Sequence, residues 1–311
     1  MIHELVPPAS ARVRRLFEPL SFHVSCASVL SGSNPGRAFV DDPHDPTAGF
    51  VLSPEAAYVA GDAGASDFCT SLGSFLGDPA NLGVPMWDLV LVASSERWAE
   101  CLGEMAADHG IARDARRHYV CDRGRSLRPL PSPPGATPVP IDERFLQGDA
   151  CAVPEHVRRW ICHNWGSADH FLSVGFGMAT LCNGEVVAWS VADCATEGSC
   201  EIGIRTAPAW RGQGMAAFTA NRAILHAFSI GMTSVGWHCH EENVASWRTA
   251  ERAGFVLERV YEEYRILEPS ETVNARPTSE GIRIRMDIDA DCSDAELDDL
   301  IVNTDVLEQD A

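Results

Sequence analysis

Two periods run through the chain: apolar residues return at every second position in short runs and every third or fourth in longer ones. Ala38-Phe39-Val40, Gly49-Phe50-Val51-Leu52, Ala57-Tyr58-Val59-Ala60 and Asp88-Leu89-Val90-Leu91-Val92 predict short strands. Ser66 to Phe75 and Glu96 to Asp108 predict helices between and after them. Such alternation implies an α/β domain with a central sheet, placed at residues 1–126. Leu127 to Pro140 carries six prolines and reads as a semi-rigid spacer, because proline removes donors and holds the backbone extended.

A second domain is expected at 141–290. Pro154 to Asn164 predicts a helix and Phe171 to Leu181 a strand. Asn183-Gly184 is a two-residue hairpin turn that pairs this strand with Val186 to Asp193. Glu197-Gly198-Ser199 turns the chain into a strand running from Cys200 to Thr206. Helix is predicted from Met215 to Ile230, strand from Thr233 to Cys239, helix from Trp247 to Ala253 and strand from Glu258 to Ile266. After a polar loop, Gly281 to Ile288 alternates as a final strand should. Residues 291–311 read as an acidic tail, with Ser293 capping a short helix from Asp294 to Val302.

One hexamer carries chemistry. Arg211-Gly212-Gln213-Gly214-Met215-Ala216 joins a strand to a helix N-terminus. Glycines there let backbone N–H groups approach an anion, and the helix dipole favours its charge. After the helix and the next strand come Asn243-Val244-Ala245-Ser246 and Gly254-Phe255. Together these resemble the GNAT superfamily of acyl-CoA-dependent N-acyltransferases. The hexamer matches its R/Q-x-x-G-x-G/A coenzyme A loop, and Asn243, Ser246, Gly254 and Phe255 match its N-x-x-S/A…G-F element. Gly175-Phe176-Gly177, Glu201-Ile202-Gly203-Ile204 and Trp237 to Asn243 narrow the likeness to two-domain GNAT proteins of the zwittermicin-resistance type. The likeness is strong from Phe171 to Phe255 and thin from Ser21 to Arg123.

The resemblance implies an α/β (α+β) protein, with a C-terminal GNAT fold whose mixed central sheet is splayed and flanked by helices. A smaller α/β N-terminal domain precedes it, a degenerate acyltransferase-like half, since Gly61-Asp62-Ala63-Gly64 is followed by acid rather than a clean helix start. Its role is open between substrate wall, relic and dimer surface, the last allowing a homodimer. The resemblance also implies acetyl-CoA as acyl donor. Ile204, Arg205, Thr206, Arg211, Gly212, Gln213, Gly214, Met215, Ala216, Asn243 and Ser246 are the candidate donor-binding residues. The hexamer would hold pyrophosphate, Asn243 the pantetheine arm, and an amide of the Ile202 to Thr206 strand the developing oxyanion. Asn243 could equally serve only as a helix cap.

Acyl transfer to an amine needs a proton acceptor, since an amine with a pKa of about 10 is protonated at neutral pH. Glu201 is the first candidate, and alternation puts it on one face with Gly203 and Arg205. Base and ion pair with Arg205 are both open readings. His238 and His240 are rivals, leaving the second strand on one face. Where relatives carry a tyrosine seven residues after the asparagine, this chain has Ala250. Ser246 is the nearest group to protonate the departing sulfur, or it only caps the helix.

The 311-residue chain has a net charge of −20, which argues against a nucleic-acid partner and suits a cationic substrate. Coenzyme A is itself an anion and must find a locally favourable site. All 24 basic residues are arginine, reflecting either genome composition or escape from acetylation. Eleven cysteines in no regular spacing suit reduced thiols and hence the cytoplasm, and no apolar run reaches the roughly 20 residues of a membrane span. His238-Cys239-His240 and Cys162-His163 have no second ligand cluster at suitable spacing, so no metal is expected. The expected function is acetyl transfer to a primary amine of a small cationic metabolite or antibiotic. A peptide or protein Nα-acetyltransferase, favoured by the serine pattern, and a non-catalytic acyl-CoA sensor are the alternatives.

Overall fold

The computed structural model describes residues 1–268 apart from 84, 107, 108 and 150. The strand expected at Gly281 to Ile288, the Asp294 to Val302 helix and the acidic tail lie outside the described residues. The described chain divides into two compact units, 1–115 with 262–268, and 116–261.

The first unit contains β1 (His3–Leu5), α1 (Ala11–Leu16), α2 (Val24–Ser31), β2 (Arg37–Val40), β3 (Ala48–Leu52) and β4 (Ala57–Gly61). It continues through α3 (Ser66–Leu76), α4 (Pro79–Leu82), β5 (Val90–Ala93) and α5 (Glu96–Met105). Strands β1 to β4 pair antiparallel in sequence order, and β5 returns parallel to β4. A parallel return needs a crossover, which α3 supplies. That helix buries Phe68, Cys69, Leu72 and Leu76, one stripe at helical spacing. Phe50, Leu91 and Trp98 meet it in the core, and the Trp98 indole donates to the Gly61 carbonyl at 3.0 Å.

The boundary falls inside two long strands, β6 (Ile111–Asp122) and a final one, so the expected division at residue 126 stands at 115/116 instead. The second unit continues with β7 (Thr137–Pro140), α6 (Glu143–Gln147), α7 (Glu155–Trp165), α8 (Ala168–Val174), β8 (Gly177–Cys182) and β9 (Glu185–Ala195). Then follow β10 (Ser199–Thr206), α9 (Met215–Ser229), β11 (Ser234–His240), α10 (Val244–Ala253) and β12 (Val256–Ile266). The sheet order in this unit is β12-β6-β11-β10-β9-β8-β7, mixed, with β10 and β11 parallel. The place beside β11 belongs to the earlier strand β6, an antiparallel pairing that sets His118 opposite His238.

Two expected elements differ. The segment 127–140 is not a free spacer. Its end is the edge strand β7, where Pro138 and Pro140 are tolerated because one side of the strand has no partner among the described residues. Its start is tied to α9: Asn221 Oδ1 accepts from the Leu130 amide at 2.9 Å, and Asn221 Nδ2 donates to the Arg128 carbonyl at 3.2 Å. The strand expected from Phe171 begins only at Gly177. Ser167 caps α8 by accepting from the His170 amide, and Phe171 buries that helix's inner side.

Asn183 and Gly184 both have positive φ (53° and 83°), as the predicted hairpin turn requires. The ten described cysteines are free thiols, nine of them buried. Among the described residues no helix is long and apolar enough to cross a membrane.

Gly254 closes α10 with φ +118°, and a Cβ there would lie 2.2 Å from Leu127 Cδ1. Gly254→Ala is therefore expected to cost about 2 kcal/mol or more, read as a lower midpoint in thermal or urea unfolding, whereas Gly184→Ala, with open space around it, costs less.

Candidate active site

Strands β10 and β11 pair through Ser199–Ser234, Cys200–Val235 and Glu201–Gly236, and the pairing ends there. Beyond it β10 stays with β9 as far as Thr206, and β11 stays with β6 as far as His240. Each strand is thus held by its outer neighbour while the two part from one another. A bulge accompanies the parting: Cys194 faces Glu201 and Ala192 faces Ile202, leaving Asp193 as the extra residue. The Asp193 carboxylate accepts from the Trp160 indole at 2.6 Å and covers Gly203, whose missing side chain makes room for it.

Beside the parting lies a cavity of about 420 Å³, lined on the strands by Ile204, Arg205, Thr206 and Trp237. The turn and α9 add Arg211, Gly212, Gly214 and Met215 to Ala217, and α10 adds Ser246, Arg248 and Arg252. Gly212 (φ +72°) and Gly214 (φ +81°) shape the turn as only glycine does easily. The first α9 bond within the helix runs from the Phe218 amide to the Gly214 carbonyl, and no side chain caps this end. The amides of 215–217 therefore have no partner within the helix. The Thr206 hydroxyl is buried without a partner. Arg211 at the turn and Arg248 and Arg252, one turn apart on α10, add basic residues to the wall. Unpaired amides, an orphaned hydroxyl and clustered cations fit a polyanionic, partly apolar ligand such as an acyl-CoA.

Side chains alternate across a strand, so Glu201 and His238 lie on the face opposite Ile202, Ile204 and Trp237. The Glu201 carboxylate meets His238 Nε2 at 3.0 Å through Oε1 and accepts from the Cys194 thiol at 3.2 Å through Oε2. His238 Nδ1 is 3.0 Å from the Tyr261 hydroxyl. The His118 ring stacks on His238, 4.4 Å between centroids, and its Nδ1 donates to Glu258 at 2.9 Å. Burial, then the neighbouring His238, pushes the His118 imidazole down to about 4. Burial works to raise Glu258, but His118 and Arg259 hold it below the usual carboxylate range. Gly236 is required here, since a Cβ would lie 3.0 Å from Glu201 Cγ and 3.2 Å from His118 Nε2.

The structure brings most of the expected residues together. Ile204, Arg205, Thr206, Arg211, Gly212, Gly214, Met215, Ala216, Asn243 and Ser246 line the cavity, and Glu201 and His238 pair on the far face of the strands. Gln213 turns away, its amide donating to the Ala209 carbonyl at 2.9 Å. His240 is separate from the Glu201 pair. Its Nε2 faces Arg116 at 2.8 Å, and burial, then the arginine charge, pushes the imidazole down to about 3, making it a poor proton acceptor. Asn243 caps α10, accepting the Ser246 amide at 2.9 Å, so the capping reading holds for its carbonyl oxygen. Ser246 Oγ accepts from the Trp237 indole at 3.1 Å. Sequence reasoning missed Arg248, Arg252, His118 and Tyr261. The arginines carried a signal in their spacing of four after the Asn-x-x-Ser element; Gly203 and Gly236 carried another, since glycine inside a strand marks close approach.

The family described as GNAT acetyltransferase matches residues 15–264, and the chain belongs to it. It is 24% identical over 257 residues to an uncharacterized N-acetyltransferase, YdfB, of Bacillus subtilis strain 168, covering 82% of this chain and 95% of that protein. A GCN5-related N-acetyltransferase-like protein from Streptococcus suis has a TM-score of 0.59 at 23% identity, over 82% of this chain and 97% of that one. A GCN5-related N-acetyltransferase from Sphaerobacter thermophilus reaches 0.55 at 14% identity, over 86% and 95%. The protein is an acyltransferase enzyme, and GNAT acetyltransferases use acetyl-CoA as donor.

Two outcomes are expected. Gly214→Val puts a side chain into the cradle at φ +81°, so the coenzyme A-induced rise in melting temperature seen with wild type should disappear while the unliganded midpoint moves only a few degrees. His118 is neutral and buried in the folded chain, so the unfolded state binds its proton first as pH falls. Stability should therefore decline between about pH 6.5 and 4, by of order 3 kcal/mol, and His118→Gln should flatten that slope in urea titrations at several pH values.

Proposed function

We propose that the protein transfers an acetyl group directly to a primary amine of a small cationic molecule. The observation that carries this reading is the Glu201 carboxylate, paired with His238 at the last position before β10 and β11 part. A carboxylate at that mouth, on the face away from α9 and α10, can meet an amine arriving from one side and the donor from the other. Acetyl-CoA supplies the acyl group as a thioester. The Gly212 to Ala217 turn and helix amides bind its pyrophosphate, and Arg211, Arg248 and Arg252 balance its charge. Glu201 accepts the amine proton. The Ser246 hydroxyl lines the cavity and accepts from the Trp237 indole, which leaves its own proton to be offered to the departing thiolate.

A cationic acceptor is favoured by the charge on that face. Asp193, Glu201 and Glu258 are gathered near the strand parting, in a protein of net charge −20. The likeness of residues 171–255 to zwittermicin-resistance acetyltransferases favours an aminated natural product or metabolite over a protein N-terminus.

Free-thiol release from acetyl-CoA, followed across aminoglycosides, polyamines, amino acids and short peptides, tests the reading. Release should depend on a cationic amine, and Glu201→Gln should lower kcat/KM about 100-fold or more while coenzyme A affinity stays unchanged. Thiol release that no amine accelerates above hydrolysis would defeat it.

A further inference from the structure

We infer that Tyr261 is a positioning residue for the proton acceptor: its hydroxyl donates to His238 Nδ1 and keeps the single imidazole proton at Nε2, against Glu201. The inference rests on the reading of Glu201 as the proposed base. It follows from an account of donors and acceptors. An ionised Glu201 can only accept, and both its oxygens do, Oε2 from the Cys194 thiol and Oε1 from His238. Nε2 must then carry the ring proton. Nδ1, left with a lone pair, needs a donor, and the Tyr261 hydroxyl lies 3.0 Å away. An ionised carboxylate and a neutral ring, taken together, thus assign every hydrogen in the chain Tyr261–His238–Glu201.

His118 cannot do this work. It meets His238 through its ring face, and its own Nδ1 is committed to Glu258. Tyr261 instead approaches edge-on, at 85° and 5.6 Å between centroids, so the His238 ring is clamped by one neighbour in its plane and by another above it. These residues sit on consecutive strands of one face: Tyr261 on β12, His118 on β6, His238 on β11 and Glu201 on β10. In this unit the titratable groups around His238 are Glu201 and its thiol neighbour Cys194, His118 with Glu258, and Tyr261.

The consequence concerns acid pH. A donated O–H stabilises the unprotonated Nδ1. Without it the ring takes up a second proton more readily, and an imidazolium against Glu201 makes the carboxylate a weaker proton acceptor. Tyr261 therefore sets how far into acid the pair stays competent.

Tyr261→Phe keeps the ring and removes the hydroxyl. The acidic limb of kcat/KM should move up by about one pH unit, the strength of one hydrogen bond, so that activity falls about tenfold at pH values below both limbs. The alkaline plateau and the KM for acetyl-CoA should stay as in wild type. A variant that loses activity equally at every pH, or shows no change, overturns the inference. A second readout needs no amine: the ¹⁵N shifts of His238 in the wild-type protein should show an unprotonated, hydrogen-bonded Nδ1 and a protonated Nε2. A proton on Nδ1 at neutral pH overturns the inference, and this test decides the matter even if Tyr261→Phe does not fold. If no amine is acetylated, the proposed function fails while the His238 signals still report on Tyr261.

Discussion

The separation of β10 from β11 is the constraint on which the remaining features depend. Each strand satisfies its outer backbone groups with a neighbour, so the sheet can open at its middle without losing its edges. The opening has a defined start at Glu201–Gly236. The glycine turn and α9 lie on one side of that point, and the imidazoles and carboxylates lie on the other. A bulge at Asp193 and glycines at 203 and 236 make the geometry possible, because a larger residue at either glycine would collide with a carboxylate or a ring.

Charge is arranged on two scales. The chain as a whole repels anions, yet the cavity wall gathers Arg211, Arg248 and Arg252 around uncapped helix amides. Short-range hydrogen bonding and pairing inside a cleft outweigh a diffuse field that salt screens over about 10 Å. The opposite face keeps the carboxylates of Glu201 and Glu258 with the imidazoles they meet. An anionic donor and a cationic acceptor would thus find matching surfaces on opposite sides of one gap.

Much of this was legible in the residues. Alternation and helical spacing located β2, β3, β4, β9, β10, α3, α7, α9 and β11 to within a few positions, and the glycine hexamer marked the cradle. What could not be read were relations between distant segments. That β6, some 120 residues before β11, lies beside it follows from no local pattern, and with it goes the His118–His238 stack. The proline-rich run was misread because proline suits an edge strand as well as a linker. Phe171 was assigned to a strand because six residues of mixed polarity do not distinguish one turn of capped helix from an extended start. The roles of His238 and His240 were likewise inseparable by sequence, being set apart by Glu201 and Arg116 respectively.

The first unit repeats the strand–turn–helix–strand order, with β4, α3 and a parallel β5 where the second has β10, α9 and β11. Its turn holds Asp62, whose carboxylate accepts the Gly64 amide at 2.8 Å. That turn is closed on itself by its own aspartate. The same order of strand, turn, helix and strand thus carries two different turns, one rich in glycine and open at its amides, the other closed on itself by an aspartate.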